Sequence, residues 1–386
     1  MRPLLVRFIG FSFIVCCVSF SLVHGATELN RSFPFEPGSN LVFEGNHCSV
    51  NIEGGQGSGL QVQGKCRGEI DKYYNISFDK RQDGLYISIK EIRRREEKSY
   101  LFGLFKFVNG NSFGLDRKKQ LRLTIRLPRQ SNIDVTTRHG ELDIRSVEGE
   151  VKAQNAHGHL NCSLITGNVH AFNSHGQITC ESITGDLEVQ TSHRNMSCQD
   201  IAGRVVARNS HGGIELARIG GLLEARTSHD PITIGHADSV SVLENSHGSI
   251  KVRNSKGSLT AHTGHRNIVV EDWQGSIHAK NSHGDITVEM LSQPAEICRL
   301  ATSHGDVVLS LPSQCSANIK ANTSHGGISS DIPLILLGEY GKNKLQGKLG
   351  DGGPDVSLNT SHGNIRIKSN NNEISQQSAA VEEEKY

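Results

Sequence analysis

Residues 173–211 read NSHGQITCESITGDLEVQTSHRNMSCQDIAGRVVARNSH, and their three histidines lie 18 residues apart. The chain has only 19 histidines in 386 residues, yet the same spacing joins nine of them: His139, His157, His175, His193, His211, His229, His247, His265 and His283. A fixed period of this length indicates a repeat protein in which each repeat, here called a rung, is one structural unit. His304, His325 and His362 continue the series at spacings of 21, 21 and 37 residues, which gives about 12 rungs.

Within each rung, apolar and polar side chains alternate. Counted from the histidine as position 0, positions 3 and 5 carry Leu, Ile, Met, Cys or Val, and positions 12 and 14 are mostly Val, Leu, Ile or Ala. A period of two predicts strands with one buried face. The glycines at positions 1 and 10 are expected to supply the positive φ of a tight corner. Two short strands per rung make the chain coil, so that equal positions stack about 4.8 Å apart. The sequence therefore predicts an all-β fold, a single parallel β-solenoid (β-helix) with rungs of about 18 residues.

A second periodicity spans two rungs. Position −2 alternates between Asn and Thr, as in Asn173, Thr191 and Asn209. The residue after the histidine is Gly in the Asn rungs and Arg or Asp in the Thr rungs. The unit is therefore 36 residues in this region, which indicates duplication of a two-rung block.

The ends of the chain lack the histidine period. Arg2 and Arg7 precede an apolar run at 8–23, a pattern typical of a secretory signal peptide with cleavage after Gly25. An uncleaved anchor is the alternative, but the run is shorter than the ~20 residues of a membrane span. No other segment could span a membrane. The predicted organisation is a signal peptide at 1–25, an N-terminal β cap at 26–135, β-solenoid repeats at 136–368 and a disordered tail at 369–386.

The predicted cap contains a basic and aromatic insertion at 93–119. Triplets of Arg and Lys at 93–95 and 117–119 flank a cluster of Tyr, Leu and Phe. We predict a hairpin that folds over the end of the solenoid and seals its core, because terminal repeats need caps. A hairpin that projects toward a membrane or a partner is the alternative.

The evenly spaced histidines are the main candidates for chemistry. Stacked imidazoles could share Zn²⁺, Cu²⁺ or Ni²⁺ between rungs, which makes the nine residues from His139 to His283 candidate metal ligands. They could equally form a pH-dependent surface, since crowded imidazoles resist simultaneous protonation. The competing interpretation is a turn residue multiplied by duplication. The rungs repeat no second ligand type beside the histidine, so no cofactor is expected, with a divalent metal as the alternative.

Seven cysteines follow the predicted signal: Cys48, Cys66, Cys162, Cys180, Cys198, Cys298 and Cys315. Cys162, Cys180 and Cys198 occupy position 5 of consecutive rungs, where we expect small buried apolar residues. A disulfide between adjacent rungs is also geometrically possible. Cys48 and Cys66 are the first disulfide candidates in an oxidising compartment.

Six Asn-X-Ser/Thr sequons are glycosylation candidates in a eukaryotic secretory pathway. Those inside rungs are expected to lie on outward positions. The sequon residues are Asn30, Asn75, Asn161, Asn195, Asn322 and Asn359.

The C-terminal residues 345–354, LQGKLGDGGP, lead into VSLNTSHGNIRI at 356–367. This stretch resembles the closing motif of the putative-adhesin β-strand repeat family, exported β-solenoid domains of unknown function built from Thr-Ser-Ser-Gly-Asp-Ile repeats. The opening FPFEPG at 33–38 is similar to the start of that family, so the resemblance covers about residues 30–368. Where the family commonly has Ser, this chain has His in almost every rung. The resemblance implies an exported β-solenoid with an adhesive role and supplies no catalytic residues.

We therefore predict an exported protein, secreted, periplasmic or at the cell surface, that is not an enzyme. It would be a structural or adhesion-type module whose rigid, repetitive surface meets an extracellular or envelope protein or a glycan. A metal-binding or pH-responsive histidine surface is the alternative. A carbohydrate-binding or carbohydrate-cleaving β-helix is the second, although cleavage needs clustered carboxylates beside an aromatic groove, and Trp273 is the only Trp. A net charge of +1 argues against nucleic acid as a partner.

Overall fold

In a computed structural model, residues 27–92, 120–337 and 341–370 are described, and strands account for most of them. The N-terminal part contains β1 (Glu28–Phe33), β2 (Asn40–Gly45), β3 (Cys48–Gly55), β4 (Leu60–Lys65), a single helical turn α1 (Ile70–Tyr73), β5 (Tyr74–Arg81), β6 (Gly84–Glu91) and β7 (Leu121–Pro128).

The central strands are β8 (Asn132–Thr137), β9 (Leu142–Glu148), β10 (Val151–Asn155), β11 (Leu160–Thr166), β12 (Val169–Asn173), β13 (Ile178–Ile183), β14 (Leu187–Thr191), β15 (Met196–Ile201), β16 (Val205–Asn209), β17 (Ile214–Thr227), β18 (Ile232–Asn245), β19 (Ile250–His262), β20 (Ile268–Lys280) and β21 (Ile286–Met290). The C-terminal strands are β22 (Ile297–Ala301), β23 (Val307–Pro312), β24 (Ala317–Thr323), β25 (Ile328–Ser330), β26 (Ile335–Leu336), β27 (Lys344–Leu349), β28 (Asp355–Thr360) and β29 (Ile365–Asn370).

The strands stack in two parallel series, one before and one after each repeat histidine. The series β8–β10–β12–β14–β16 precedes the histidines, and the series β9–β11–β13–β15 follows them. Each of β17 to β20 runs from one series into the other without a break. Equal positions pair directly, as where Leu160 faces Ile178 and Ile178 faces Met196. The predicted all-β solenoid with 18-residue rungs is confirmed.

The core is the space between the two series. In the rung of His175, the residues at positions 3, 5, 12 and 14 are buried, as predicted: Ile178, Cys180, Leu187 and Val189. Ile183 at position 8 is buried as well. Their counterparts in neighbouring rungs continue the same cluster. Each fully buried aliphatic side chain contributes about 1.5–3 kcal/mol relative to an exposed one, so the repeated core stabilises the whole stack.

The corner between the two strands of a rung differs from the prediction. Gly at position 10 was expected to provide the positive φ, but it does so only at Gly167, Gly257 and Gly275. A Cβ on Gly203 would lie 2.5 Å from the carbonyl carbon of Gly185, so glycine is needed there for the close approach of rungs. The left-handed conformation belongs to position 7 instead, with φ of 46–59° at Ser146, Leu164, Ser182, Asp200, Arg218, His236, Asn254 and Asp272.

At both ends the stacking order departs from the chain order. At the N-terminal end, β2 lies between β6 and β8, and β3 lies between β7 and β9. At the C-terminal end, β28 lies between β22 and β24, and β29 lies between β23 and β25. The rung of His362 is therefore internal, and that of His325 follows it, contrary to the order of the histidines in the sequence.

Antiparallel strands close both ends of the stack. β4 pairs with β7 and β1, and β5 pairs with β6. At the other end, β27 pairs with β24 and β26. The predicted signal peptide at 1–25 and hairpin at 93–119 lie outside the described residues, whereas β29 continues through residues 369–370, where the tail was expected to begin. In the described ranges, no helix has the length and apolar character needed to cross a membrane.

Candidate functional site, a stack of histidine rings

Thirteen imidazole rings form one continuous stack along a corner of the solenoid. Neighbouring ring centroids are 4.2–5.2 Å apart, and the ring planes differ by 0–18°. All twelve histidines of the sequence series take part, with His47 added at one end. We call this stack the histidine ladder, and its spatial order is His47, His139, His157, His175, His193, His211, His229, His247, His265, His283, His304, His362 and His325.

The backbone of the preceding rung fixes seven of the thirteen rings. The Nδ1 of His211 lies 3.1 Å from the carbonyl oxygen of Ser192, and the backbone N–H of His211 donates to the same oxygen at 3.0 Å. The same Nδ1 contact, at 3.1–3.3 Å, holds six further rings: His193, His229, His247, His265, His283 and His325. A carbonyl oxygen only accepts, so Nδ1 carries the proton in these rings.

This tether decides which ring nitrogen can meet a ligand. With the proton on Nδ1, a neutral imidazole keeps its lone pair on Nε2 at the opposite edge. The ladder residues from His157 to His325 are exposed, whereas His47 and His139 are half-buried. The seven tethered rings therefore have their Nε2 atoms at the exposed edge, at a spacing close to the rung repeat.

His47 extends the ladder beyond the repeats that the sequence reveals. Its Nδ1 lies 2.9 Å from a carboxylate oxygen of Glu91. The hydroxyl of Tyr74 donates to the His47 carbonyl at 3.0 Å, and burial raises the pKa of Tyr74 to about 12. The rung of His47 pairs with its neighbour at an offset of 92 residues, as between Glu53 and Arg145, so the 18-residue period cannot find it.

Next to it, His139 has a lowered pKa. Partial burial lowers its pKa below the usual 6.5, and positive charge on His47, His157 and Arg138 lowers it further. Its neutral form is therefore favoured in the folded protein.

Parallel stacking of the rings affects whether two neighbouring histidines can bind the same metal ion. The lone pairs lie in the ring planes, so neighbouring Nε2 atoms point the same way instead of converging on one ion. A Zn–N bond is about 2.0–2.1 Å, so two rings that share an ion must first rotate toward each other. Among the residues that the structure describes, no three His, Cys, Asp or Glu side chains group closely enough to hold a metal ion. Metal ligation by the histidines from His139 to His283 stays a prediction.

The Asn/Thr alternation has a packing reason that the sequence did not give. The buried Asn245 side chain donates to the carbonyl of Asp230 at 2.8 Å and accepts from the N–H of Gly248 at 2.9 Å. A Cβ at Gly248 would lie 2.6 Å from the Asn245 amide nitrogen and 2.5 Å from the Asp230 oxygen. Thr227 in the preceding rung only donates, to the carbonyl of Gly212 at 2.9 Å. Asn rungs therefore need Gly after the histidine, and Thr rungs accept Arg or Asp.

A shallow polar groove follows the ladder on the side of position −3. Its central part has a volume of about 590 Å³ and is lined by Arg208, Ser210, Arg226, Ser228, Glu244 and Ser246, among others. A second part, of about 300 Å³, continues along the rungs of Gln154, Ser174 and Gln190. The groove is open to solvent, and no single residue in the sequence identifies it, because it arises from the stacking of unlike rungs.

Fixed charges on the outer faces pair across rungs. Arg208 meets Glu188 at 2.8 Å, Arg204 meets Glu224 at 2.7 Å, and Arg226 meets Glu244. A hydrogen bond from Arg218 lowers the pKa of Asp200. Exposed pairs of this kind add little to stability, because solvent screens them. Their main effect is to balance the fixed charge beside the ladder.

The position-5 cysteines form a second stack, inside the core. Cys162, Cys180 and Cys198 are Cα partners in adjacent rungs and are fully buried. Hydrogen bonds with its two neighbours, together with burial, raise the pKa of the Cys180 thiol. Burial raises the pKa of Cys48 to about 12. Cys48 and Cys66 are both buried near Tyr74, and their disulfide stays a prediction.

The sequon residues lie at the surface to different degrees. Asn30, Asn75 and Asn195 are exposed, and the other three are half-buried. The amide of Asn161 donates to Asp143 at 2.6 Å, so glycosylation there would have to break a contact between rungs. Glycosylation stays a prediction at all six positions.

These features define a repeat protein, a parallel β-solenoid with one corner made of stacked imidazoles and a polar groove beside it. The chain belongs to the Toastrack DUF4097 family, whose model matches residues 40–368. This agrees with the resemblance seen in the sequence.

Two solved structures are similar to the chain. One is a putative cell adhesion protein from Clostridium sporogenes, with 12% identity and a TM-score of 0.19 over 89% of this chain and 100% of the other. The second is a putative adhesin from Bacteroides fragilis, with 14% identity and a TM-score of 0.22 over 89% of this chain and 97% of the other. TM-scores this low carry no argument about this protein. Among curated proteins, none matches the chain.

Proposed function

We propose that this protein is an exported, non-enzymatic adhesion-type module. It presents the histidine ladder and the adjoining groove as one rigid surface to an extended extracellular or envelope partner, a protein or a glycan. The observation that carries the proposal is the unbroken stack of thirteen rings at 4.2–5.2 Å. Only a partner that is itself extended can use such a row along its length.

Rigidity favours this role. Each tethered ring, such as His211 on the Ser192 carbonyl, has already lost its side-chain freedom, so binding costs little further entropy. Equal contacts repeated along a line add through effective concentration, so weak individual contacts give strong overall attachment.

The groove supports binding more than catalysis. Its carboxylate Glu244 is paired with Arg226, and Glu188 beside it is paired with Arg208. Trp273 is fully buried in the core and offers no platform for a sugar ring. Repeated, neutralised charges along a groove do not provide the paired acid and base that glycoside hydrolysis needs.

The test is adhesion under flow. Beads that carry the full chain settle on a layer of extracellular matrix and are then exposed to rising shear. Replacing His193, His211 and His229 with Ser should reduce the retained beads at least tenfold, because three adjacent contacts are removed from one array. The matched control replaces His159, His170 and His278, which lie outside the ladder. Equal retention by both variants would refute the proposal.

Metal binding is a second candidate, favoured by one observation. Histidines that ligate a metal usually donate their other ring N–H to a backbone carbonyl or carboxylate, and His193 holds its Nδ1 against the Ser174 carbonyl in this way. Calorimetric titration of the untagged full chain with Zn²⁺ or Ni²⁺ tests it. Saturable heats that EDTA reverses, and that the triple ladder variant loses, would support it. Flat heats would exclude it.

A further inference from the structure

We propose that the histidine ladder is a proton-gated binding site for a linear anionic glycan. Uptake of protons turns the row of rings into a line of positive charge that an extended chain of carboxylates or sulfates neutralises. This inference rests on the proposed function and adds the chemical class of the partner and the condition for binding.

The tether determines where the added proton goes. Because Nδ1 of rings such as His229 and His247 already donates to a carbonyl oxygen, the second proton binds to Nε2 at the exposed edge. That nitrogen then changes from an acceptor, which repels anionic oxygens, to a charged donor. Hydrogen bonds from a cationic donor to a carboxylate or sulfate oxygen are shorter and stronger than neutral ones.

Elsewhere the charge of the molecule is balanced. The chain has 41 Lys and Arg against 40 Asp and Glu, and many of these pair across rungs, as Arg204 does with Glu224. Mild acidification therefore creates new charge chiefly on histidines, and thirteen of the 19 histidines lie on this one line. A line of like charges attracts a polyanion and steers its approach.

The charged neighbours of the ladder leave its central part open to an anion. Arg194 and Arg266 follow ladder histidines directly, and Asp230 is the acidic residue in the equivalent place. Asp306 forms an ion pair with Arg366 at 3.1 Å. Glu91 contacts His47, at one end of the ladder. The remaining titratable groups beside the ladder, on the strands that lead into and out of this corner, are Glu44, Arg138, Glu141, His159, Arg208, Arg226, Glu244, His262, Lys280 and Asp285.

The geometry favours a glycan over a nucleic acid. Ring spacings of 4.2–5.2 Å exceed the ~3.4 Å rise per phosphate along one strand of duplex DNA. Proteins that bind single strands stack bases on aromatic faces, but here each ring face is covered by the next ring. The serine hydroxyls of the groove, at Ser210, Ser228 and Ser246, lie beside the ladder and suit the hydroxyl groups of a sugar chain.

The experiment uses the full chain and three labelled probes of matched length: sulfated dextran, neutral dextran and oligo-dT. We expect sulfated dextran to bind at least 30-fold more tightly at pH 5.0 than at pH 7.5, with net proton uptake in calorimetry, because proton and polyanion binding are reciprocally linked. Changing His193, His211 and His229 to Ser should remove most of this gain. The control variant at His159, His170 and His278 should keep it, and circular dichroism verifies that both variants are folded.

Four results would overturn the inference. One is an affinity for sulfated dextran that does not change with pH, and another is an equal loss of binding in both variants. The third is tighter binding of oligo-dT than of sulfated dextran, which would assign the site to nucleic acid. Ladder-dependent adhesion at pH 7.5 without acid-dependent binding of sulfated dextran would also overturn it, while leaving the proposed adhesive function in place.

Discussion

At the scale of single residues, the histidine corner depends on the buried side chain at position −2. Asn245 is 2% exposed and satisfies a donor in its own rung and an acceptor in the preceding one. Thr263, the equivalent residue in the next rung, satisfies only the carbonyl of Gly248, at 2.8 Å. Asn and Thr therefore stabilise the same corner with different numbers of hydrogen bonds.

Replacing Asn245 tests this difference. Asn245→Ala leaves the Gly248 N–H and the Asp230 carbonyl without their partner, and each unsatisfied buried group costs about 1–3 kcal/mol. We expect the free energy of unfolding in urea to fall by about 2–4 kcal/mol. Asn245→Thr keeps a donor for Asp230 and should cost clearly less. If Thr is as costly as Ala, the hydrogen bonds do not explain the alternation.

Leu164 is the residue least suited to its corner. It adopts φ of 55° and its side chain is 60% exposed. Left-handed backbone costs an L-residue about 1–2 kcal/mol, and Asn tolerates it better than Leu. We expect Leu164→Asn to raise the free energy of unfolding by about 1 kcal/mol. Asn254→Leu, the converse change at the same position of another rung, should lower it by a similar amount. Urea denaturation measures both, and a fall for Leu164→Asn or a rise for Asn254→Leu would contradict the argument.

At the scale of strands and corners, the sequence predicts what repeats and misses what depends on distant pairing. The 18-residue period places the buried apolar positions of the rungs, such as Ile178 and Val189, because period-two burial is a local property. It does not show which corner residue is left-handed, since Ser, Leu, Asp and Arg all occur at position 7. Nor does it reveal His47, whose rung joins the stack through pairing of β3 with β9. Of the candidate site, the row of rings was predictable, but the Nδ1 tether and the groove were not.

The exchanged rung order near the C-terminus gives a test at this scale. Ile365 and Ile328 both occupy position 3 of their rungs. Ile365 is fully buried between Val307 and Ile328, whereas Ile328 is half-buried and, among the described strands, its strand β25 pairs with β29 alone. Truncation of a buried Ile to Ala costs about 2–5 kcal/mol. We expect Ile365→Ala to fall in that range and Ile328→Ala to cost less than half as much.

The reverse ranking of these two variants would mean that the rungs stack in chain order, with His325 before His362. Unfolding in urea measures both variants on one scale. Their side chains and positions are matched, so the difference between them reports the place of the rung in the stack.

At the scale of the whole molecule, the ladder couples stability to pH. The pKa of His139 is lowered in the folded chain by burial and by the charges of His47, His157 and Arg138. The unfolded chain therefore binds more protons as the pH falls through 6.5, the usual value, and toward the lower folded value. Stability that is present above pH 6.5 is lost across this window. Protonation of both members of a stacked pair adds repulsion of about 1 kcal/mol for unit charges 4 Å apart in water.

We expect the melting temperature to fall steadily between pH 7.5 and pH 5.0. His139→Ser should make this decline shallower, because it removes the group whose protonation the fold opposes, whereas His159→Ser, a histidine outside the ladder, should not. A ligand that binds only the folded state raises its stability, so sulfated dextran should restore part of the loss at pH 5.0 and have little effect at pH 7.5. Differential scanning calorimetry measures the melting temperature of the unaltered chain and of both variants at each pH, with and without sulfated dextran. A decline that is the same in both variants would show that His139 does not contribute, and stabilisation by sulfated dextran at both pH values would show that it binds a surface other than the protonated ladder.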